Sequence, residues 1–205
     1  VSRHVDAVPP PRSLFAGPLF SATYDIVADA LAAEPPFLLR LAAEVDIRYG
    51  TLFDEVGYDP AAVELGLDDW DIIVIASLIE EEARVDVDRP LMARAIYNRL
   101  LAGMPLQIDA TVYYAVNKAF TDTLFQSDLD FESPWNTYVS LGIPPAPIAA
   151  PGEAALRAAL DPSEGDYIFW ARTDADGVLG AHKFSATLDE HNSAVAVCSE
   201  LGYCG

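Results

Sequence analysis

Basic residues are scarce in this chain: twelve Lys and Arg stand against thirty-two Asp and Glu in 205 residues, a formal charge of −20. So acidic a surface repels phosphate backbones and anionic membrane surfaces and offers no basic stripe, which excludes nucleic acid as a partner class. Cysteine is almost missing. The two that occur, Cys198 and Cys204, stand six positions apart at the C-terminus, too far for a thioredoxin-type pair and without the partners of a zinc site. They read as a terminal disulfide formed outside the cytosol, with two unrelated thiols as the competing reading. Apolar runs fall well short of the roughly 18 residues that a spanning helix needs, and no charged-then-apolar segment opens the chain as a signal peptide would. The sequence starts at Val1 rather than Met, so an upstream anchor or signal stays open.

Several chemistries lack their residues. Serine elbows and Gly-rich phosphate loops are absent. His182 and His191 have no spaced carboxylate or cysteine partner and read as hydrogen-bonding groups rather than metal ligands. Asp174 to Gly177 opens like a calcium loop, but its glycine falls too early and no glutamate follows at the twelfth loop position, so it reads as a turn. No metal and no cofactor are expected.

What is present is apolar residue, 52% of the chain, enough for one sizeable core. Residues 1–13, with Pro9, Pro10 and Pro11, read as a linker or arm, and 14–205 as one domain. Helical spacing runs from Asp25 to Glu34 and from Phe37 to about Val56, broken by Pro35 and Pro36. A central helix covers about 69–84, with either Asp68 or Asp69 able to cap it, and a second helix starts at Asp88, Arg89 and Pro90 and stops at Gly103. Residues 120–152 hold Pro144, Pro145, Pro147 and Pro151 in an extended loop. Residues 167–171 and 178–184 flank a Gly-containing turn as a hairpin, and a helix over about 186–200 closes the chain. The expected class is α+β: a helical core around a buried central helix, with a small antiparallel sheet or hairpin and an extended Pro-rich loop.

Chemistry concentrates where the apolar run from Ile72 to Ile79 ends in Glu80, Glu81 and Glu82. Burial and neighbouring carboxylates both disfavour ionisation, so at least one of the three is expected to have a raised pKa. Helical geometry points the three in different directions, and a solvated helix end is the competing reading. Trp135, Asn136 and Tyr138 combine an aromatic platform with amide and hydroxyl groups, the equipment for holding a sugar.

Four segments in order, ASLIEEEA, DRPLMARAIYNRLLAGMPLQIDATVYY, SPWNTYVSLGIPPAPIAAPG and GAHKFSATLDEHN, together with GPLFSATY at 17–24, resemble the endolytic murein transglycosylase or YceG-like family from about Leu14 to Asn192. The resemblance implies an envelope enzyme that cuts peptidoglycan glycan strands between N-acetylmuramic acid and N-acetylglucosamine without adding water, leaving 1,6-anhydro ends. By the same pattern the catalytic acid is the first one after the Ala-Ser-apolar-apolar segment, Glu80. Gln107, Asp109, Thr111, Asn136, Thr137 and Tyr138 would contact the glycan. Ser77, Glu82, Arg89, Asn98 and Arg99 would support the site. Family members carry a membrane helix and a LysM-like subdomain ahead of this region, so the resemblance implies an anchor upstream of these 205 residues, an extracytoplasmic location and cell-wall synthesis proteins as partners. Ala110 and Lys183 depart from the family's usual residues.

Three rivals remain at this stage. A hydrolytic muramidase would use Glu82 or Asp109 as a second carboxylate. A glycan-binding scaffold would not turn over at all. An aminodeoxychorismate lyase would need a Schiff-base lysine, and only Lys118 and Lys183 occur, neither in an apolar setting.

Overall fold

A computed structural model describes residues 48–203. The first expected helix, the 1–13 arm and Cys204 lie outside these residues; of the second helix, residues 48–56 are helical (α1). Then follow α2 (Pro60–Leu65), α3 (Asp69–Glu82), α4 (Arg89–Leu101), α5 (Asp109–Val116), α6 (Gln126–Leu129), α7 (Glu153–Leu160), β1 (Phe169–Arg172), β2 (His182–Ser185) and α8 (Leu188–Glu200). Helices with one two-stranded antiparallel sheet make the architecture α+β.

The central helix is α3. Asp68 accepts the amide of Asp71 while Asp71 accepts that of Asp68, a reciprocal cap that begins the helix where Asp69 and Asp71 also meet its positive end. Every residue from Ile72 to Ile79 is buried, so no face of these two turns meets water. Around it pack α4, α5 and α7, with Met92, Ile96, Tyr97, Leu156 and Leu160 among the fully enclosed side chains. Each such aliphatic side chain contributes about 1.5–3 kcal/mol relative to exposure. The helix ends at Glu82, two residues earlier than its sequence pattern suggests, because Ala83 turns extended.

Helix α7 makes the most extensive contact with α3 and has no counterpart among the expected elements. Its signal is Ala155, Leu156, Ala159 and Leu160, apolar residues one turn apart between Gly152 and Asp161; all four are buried. The Tyr97 hydroxyl donates to the Ala159 carbonyl at 2.7 Å and ties α4 to it.

The Pro-rich loop is laid along α3. Trp70 Nε1 donates to the Pro145 carbonyl at 3.4 Å, the Ile148 amide to Ser77 Oγ at 3.1 Å, and the Gly152 amide to Glu80 Oε2 at 3.1 Å. Positions 70, 77 and 80 share one helix face, and that face holds the loop.

The hairpin pairs Phe169 with Ser185, Trp170 with Phe184, Ala171 with Lys183 and Arg172 with His182. Its second strand begins at His182 rather than Val178, because the turn occupies more chain than its glycine suggests. Asp174 adopts left-handed backbone, accepts the Gly180 amide at 2.7 Å, and receives the Tyr203 hydroxyl at 2.9 Å. Those bonds make Asp174 a turn anchor. Helix α8 starts at a reciprocal cap between Thr187 and Glu190 and packs on the hairpin.

Candidate active site

A groove of about 510 Å³ lies between the end of α3, the entry to α5, the hairpin and α8. Glu82, Arg99, Gln107, Asp109, Tyr138 and Trp170 line one part of it; Phe169, Arg172, His182, His191 and Tyr203 line the rest. Two residues apart on a helix means about 200° of rotation, so Glu82 and Glu80 cannot face the same space. Of these two glutamates, Glu82 lines the groove.

Glu82 is set in an acidic but largely dehydrated corner. Its carboxylate accepts the Trp170 indole N–H at 3.3 Å. Burial pushes its pKa up; the Asp109 charge adds to that, while the hydrogen bonds from Trp170 and the Ala110 amide, and the Arg84 charge, oppose it. The result is a carboxyl that keeps its proton above the ordinary carboxylate range. Glu81 is raised as well, by burial and then by Glu80, with Arg84 opposing. At least one raised glutamate was expected from the sequence, and the structure has two.

Asp109 begins α5 and receives the Tyr138 hydroxyl at 2.6 Å. Burial, the bond to Asp109 and the Glu82 charge all raise Tyr138, so its phenol stays protonated and donating. Arg99 is 6% exposed. Its guanidinium donates to the carbonyls of Leu106 at 2.7 Å, Pro105 at 3.3 Å and Ile168. It also lies 5.3 Å from the Phe169 ring centre and 5.4 Å from that of Trp170. Burial lowers its pKa, yet a guanidinium remains charged, and it fixes the groove floor to α4 and β1.

Gln107 sits at φ +50° without being glycine, a left-handed backbone that costs about 1–3 kcal/mol. Its amide donates to the Thr137 carbonyl at 3.1 Å, and the next amide, Ile108, donates to Thr137 Oγ1 at 2.9 Å. That clamp turns the chain into α5 and brings Asp109 to the rim.

Three residues expected to touch glycan lie beneath the groove. Thr111, Asn136 and Thr137 are at most 1% exposed, and their polar atoms are already occupied. Thr111 Oγ1 donates to the Ile108 carbonyl at 2.6 Å, lies 2.9 Å from Thr137 Oγ1, and accepts the Thr137 amide at 3.2 Å. Asn136 Nδ2 donates to the carbonyls of Leu129 and Phe131, both at 2.9 Å, while its Oδ1 accepts the Tyr138 amide at 3.0 Å. Through these bonds they hold the segment that carries Tyr138. Trp135 is not among the residues that line this groove; its ring packs against Tyr114, centres 6.0 Å apart.

Glu80 lies on the other side of α3. Its carboxylate accepts Arg89 Nη1 at 3.2 Å and the Gly152 amide at 3.1 Å, on the loop side of α3. Arg89 and Ser77 thus support the Pro-rich loop, and Asn98 holds the carbonyls of Gly165 and Tyr167, both at 2.9 Å. Cys198 is fully buried on α8. Among the described residues no cluster of His, Cys, Asp and Glu could hold a metal ion.

Residues of the hairpin and α8 enter the groove without having been singled out as site residues. The signal for Trp170 was alternation along 167–172, which places it and Arg172 on one sheet face. His191 stacks on Phe169, ring centres 4.8 Å apart, and its Nδ1 is buried without a partner. Burial, and then the Arg99 charge, lower its pKa and favour the neutral ring.

Several known proteins are similar to this chain. The endolytic murein transglycosylase of Bacillus subtilis is 44% identical over 123 residues, 60% of this chain and 33% of that protein. The protein of the same name from Streptococcus pneumoniae is 29% identical over 130 residues, 62% of this chain and 23% of that protein. This chain therefore spans a third or less of the length of the curated relatives it matches. A crystal structure of a YceG-like protein from Listeria monocytogenes superposes with a TM-score of 0.68 at 32% identity, covering 86% of this chain and 54% of that one. The sequence profile of the YceG-like family matches residues 4–197, and the chain belongs to that family.

Proposed function

We infer that the protein binds a peptidoglycan glycan strand and cleaves it as a lytic transglycosylase, with a glutamate at the end of α3 as the proton donor: Glu82 by its place on the groove, or Glu80 by the family pattern. The observation that supports this reading is a groove-lining carboxyl, Glu82, whose pKa burial raises, with the Asp109 charge adding to it. Glycosidic cleavage begins with protonation of the leaving oxygen, and a general acid contributes about 10²–10⁴ in rate. Glu82 gives its proton to the oxygen bridging muramic C1 and the next sugar. The Asp109 carboxylate, oriented by Tyr138, faces the positive charge that develops at the anomeric carbon. Capture of that carbon by the muramic 6-hydroxyl then closes a 1,6-anhydro ring, so the protein needs no nucleophile of its own. The aromatic rings of Trp170 and Phe169 offer flat faces for sugar rings.

Two carboxyls in one groove also suit a hydrolase, which would deliver water and leave reducing ends. Mass spectrometry of digested, peptide-free glycan separates the readings: anhydro ends support the transglycosylase, reducing ends alone defeat it. Glu82→Gln should abolish cleavage while Glu80→Gln retains it. The reverse result would restore Glu80 as the acid. Wild-type binding without turnover would make the protein a scaffold. The wider setting belongs to the same proposal: an extracytoplasmic enzyme held by an upstream anchor, beside cell-wall synthesis proteins, with a Cys198–Cys204 bridge fastening the tail.

A further inference from the structure

With 32 acidic residues against 12 basic ones, cations in this chain are expected to find carboxylates. Arg89, Arg94, Lys118 and Arg157 each do. Two guanidinium groups on the groove do not: among the described residues neither Arg99 nor Arg172 forms a salt bridge, although both line the same cavity. Arg99 gives its N–H groups to the carbonyls of Pro105, Leu106 and Ile168, which hold it in place without cancelling its charge.

Arg172, the last residue of β1, lies over the Tyr203 ring, its Cζ 3.6 Å from the ring centre. Stacking fixes the plane of the guanidinium, so its N–H edge keeps one direction. Its Nε is buried and has no hydrogen-bond partner. Buried donors are as a rule satisfied, so an empty one on a groove wall marks the place of an acceptor that the chain does not supply. Asp174, which feels the Arg172 charge, does not supply it: its oxygens take the Gly180 amide and the Tyr203 hydroxyl. His191 repeats the pattern. Its ring is stacked on Phe169, and its Nδ1 too is buried without a partner. Two unsatisfied nitrogens and two cations without a carboxylate therefore meet in one cavity, whose own acids, Glu82 and Asp109, come from α3 and α5.

We propose that Arg172 and His191, together with the fixed charge of Arg99, form a subsite for a carboxylate of the substrate. This deepens the glycan reading above and rests on its substrate, whichever glutamate of α3 donates the proton. A carboxylate is planar and accepts two parallel hydrogen bonds, which suits a stacked guanidinium. Peptidoglycan carries that group in two places: at the end of the lactyl arm of a peptide-free muramic sugar, and along the stem peptide where that arm is amidated. Trp170 and Arg172 stand two positions apart on β1, so they share a strand face about 7 Å apart. A muramic ring beside the indole directs its lactyl substituent to the guanidinium. The cationic lining also offsets the repulsion that a chain of charge −20 exerts on an anionic polymer.

The test compares the full chain, wild type and Arg172→Gln, on three glycans: peptide-free, peptide-free with its lactyl carboxylates converted to methylamides, and stem-peptide-bearing. Arg172→Gln should raise KM about tenfold on a glycan whose carboxylate is read, with kcat within about twofold, and leave the methylamide glycan unchanged. A rise on the peptide-free glycan assigns the lactyl carboxylate; a rise on the stem-bearing glycan assigns the peptide's. His191→Phe, which keeps the stack on Phe169, should act in the same direction by a smaller factor. An equal rise on all three glycans would make Arg172 a brace for Tyr203 and overturn the subsite, as would an unchanged KM on all three. Should Arg172→Gln fail to fold, Arg172→Lys takes its place: it keeps the charge, loses the fork, and should raise the same KM by less. If wild type turns over none of the glycans, the enzymatic reading fails by itself. Calorimetric affinities for the same three glycans then decide the subsite by the same comparison.

Discussion

Glu80 and Glu82 stand two residues apart on one helix, yet they live in opposite chemistry. Glu80 meets a cation and a backbone amide, so its charge is matched and the Pro-rich loop is held down. Glu82 meets an indole, an amide and another acid, so its charge is penalised. A half-turn of helix separates an ion-paired carboxylate from one whose pKa burial raises. The contrast teaches that an acid's neighbours across the fold, rather than its neighbours in sequence, assign its role.

The largest effect should come from removing the donor. Glu82→Gln is expected to lower kcat on glycan by about 10³-fold with little change in binding, whereas Glu80→Gln should stay within about tenfold of wild type. Steady-state release of soluble fragments, scored for both, measures the comparison directly.

Beneath the groove, Asn136→Leu should destabilise the fold by about 2–4 kcal/mol, because it strands the buried carbonyls of Leu129 and Phe131 and the amide of Tyr138. Urea unfolding is the measurement. A loss below about 0.5 kcal/mol would mean that those groups find water. On the loop side, Glu80→Ala should cost about 1–2 kcal/mol and speed proteolysis within 144–152, with no effect on product chemistry. Equal protease sensitivity in the variant would mean that the loop is held by its apolar contacts alone.

The smallest effect is a slope. A carboxyl raised by folding binds its proton more tightly in the native state, so its contribution to stability falls as pH rises from the ordinary carboxylate value through the raised one. Glu82 and Glu81 both have this sign. Wild type should lose more stability across that window than Glu82→Gln, read by thermal unfolding at a series of pH values. Activity should fade on the same alkaline side, as the donor ionises. Identical slopes would say that the groove is wetter than its lining suggests.

Helix α3 could be read from its apolar run and its aspartates, because burial on all sides and N-terminal capping are local properties. The hairpin could be read from its alternation. Helix α7 was less legible, since short Ala-rich stretches give little contrast between faces. The site divides in the same way. Gln107, Asp109, Tyr138 and Arg99, all singled out from the sequence, come together on one groove. Thr111, Asn136 and Thr137 were also expected there, yet they face inward, a distinction set by packing that residue type does not carry. The different surroundings of Glu80 and Glu82 come from what the Gly152 segment and β1 bring against α3, the latter with Trp170 from about 90 positions downstream.

The strapping of the proline segment onto the central helix has a further consequence. Proline has no amide hydrogen, so Pro144, Pro145, Pro147 and Pro151 bring few donors into that stretch. Two that it has, Ile148 and Gly152, are received by hydroxyl and carboxylate groups spaced along one stripe of α3. The segment therefore works as a ruler: deleting one residue between 148 and 152 would misalign its second peg. It would also shift the starting point of the helix that follows, and the whole flank of the core would have to be re-indexed.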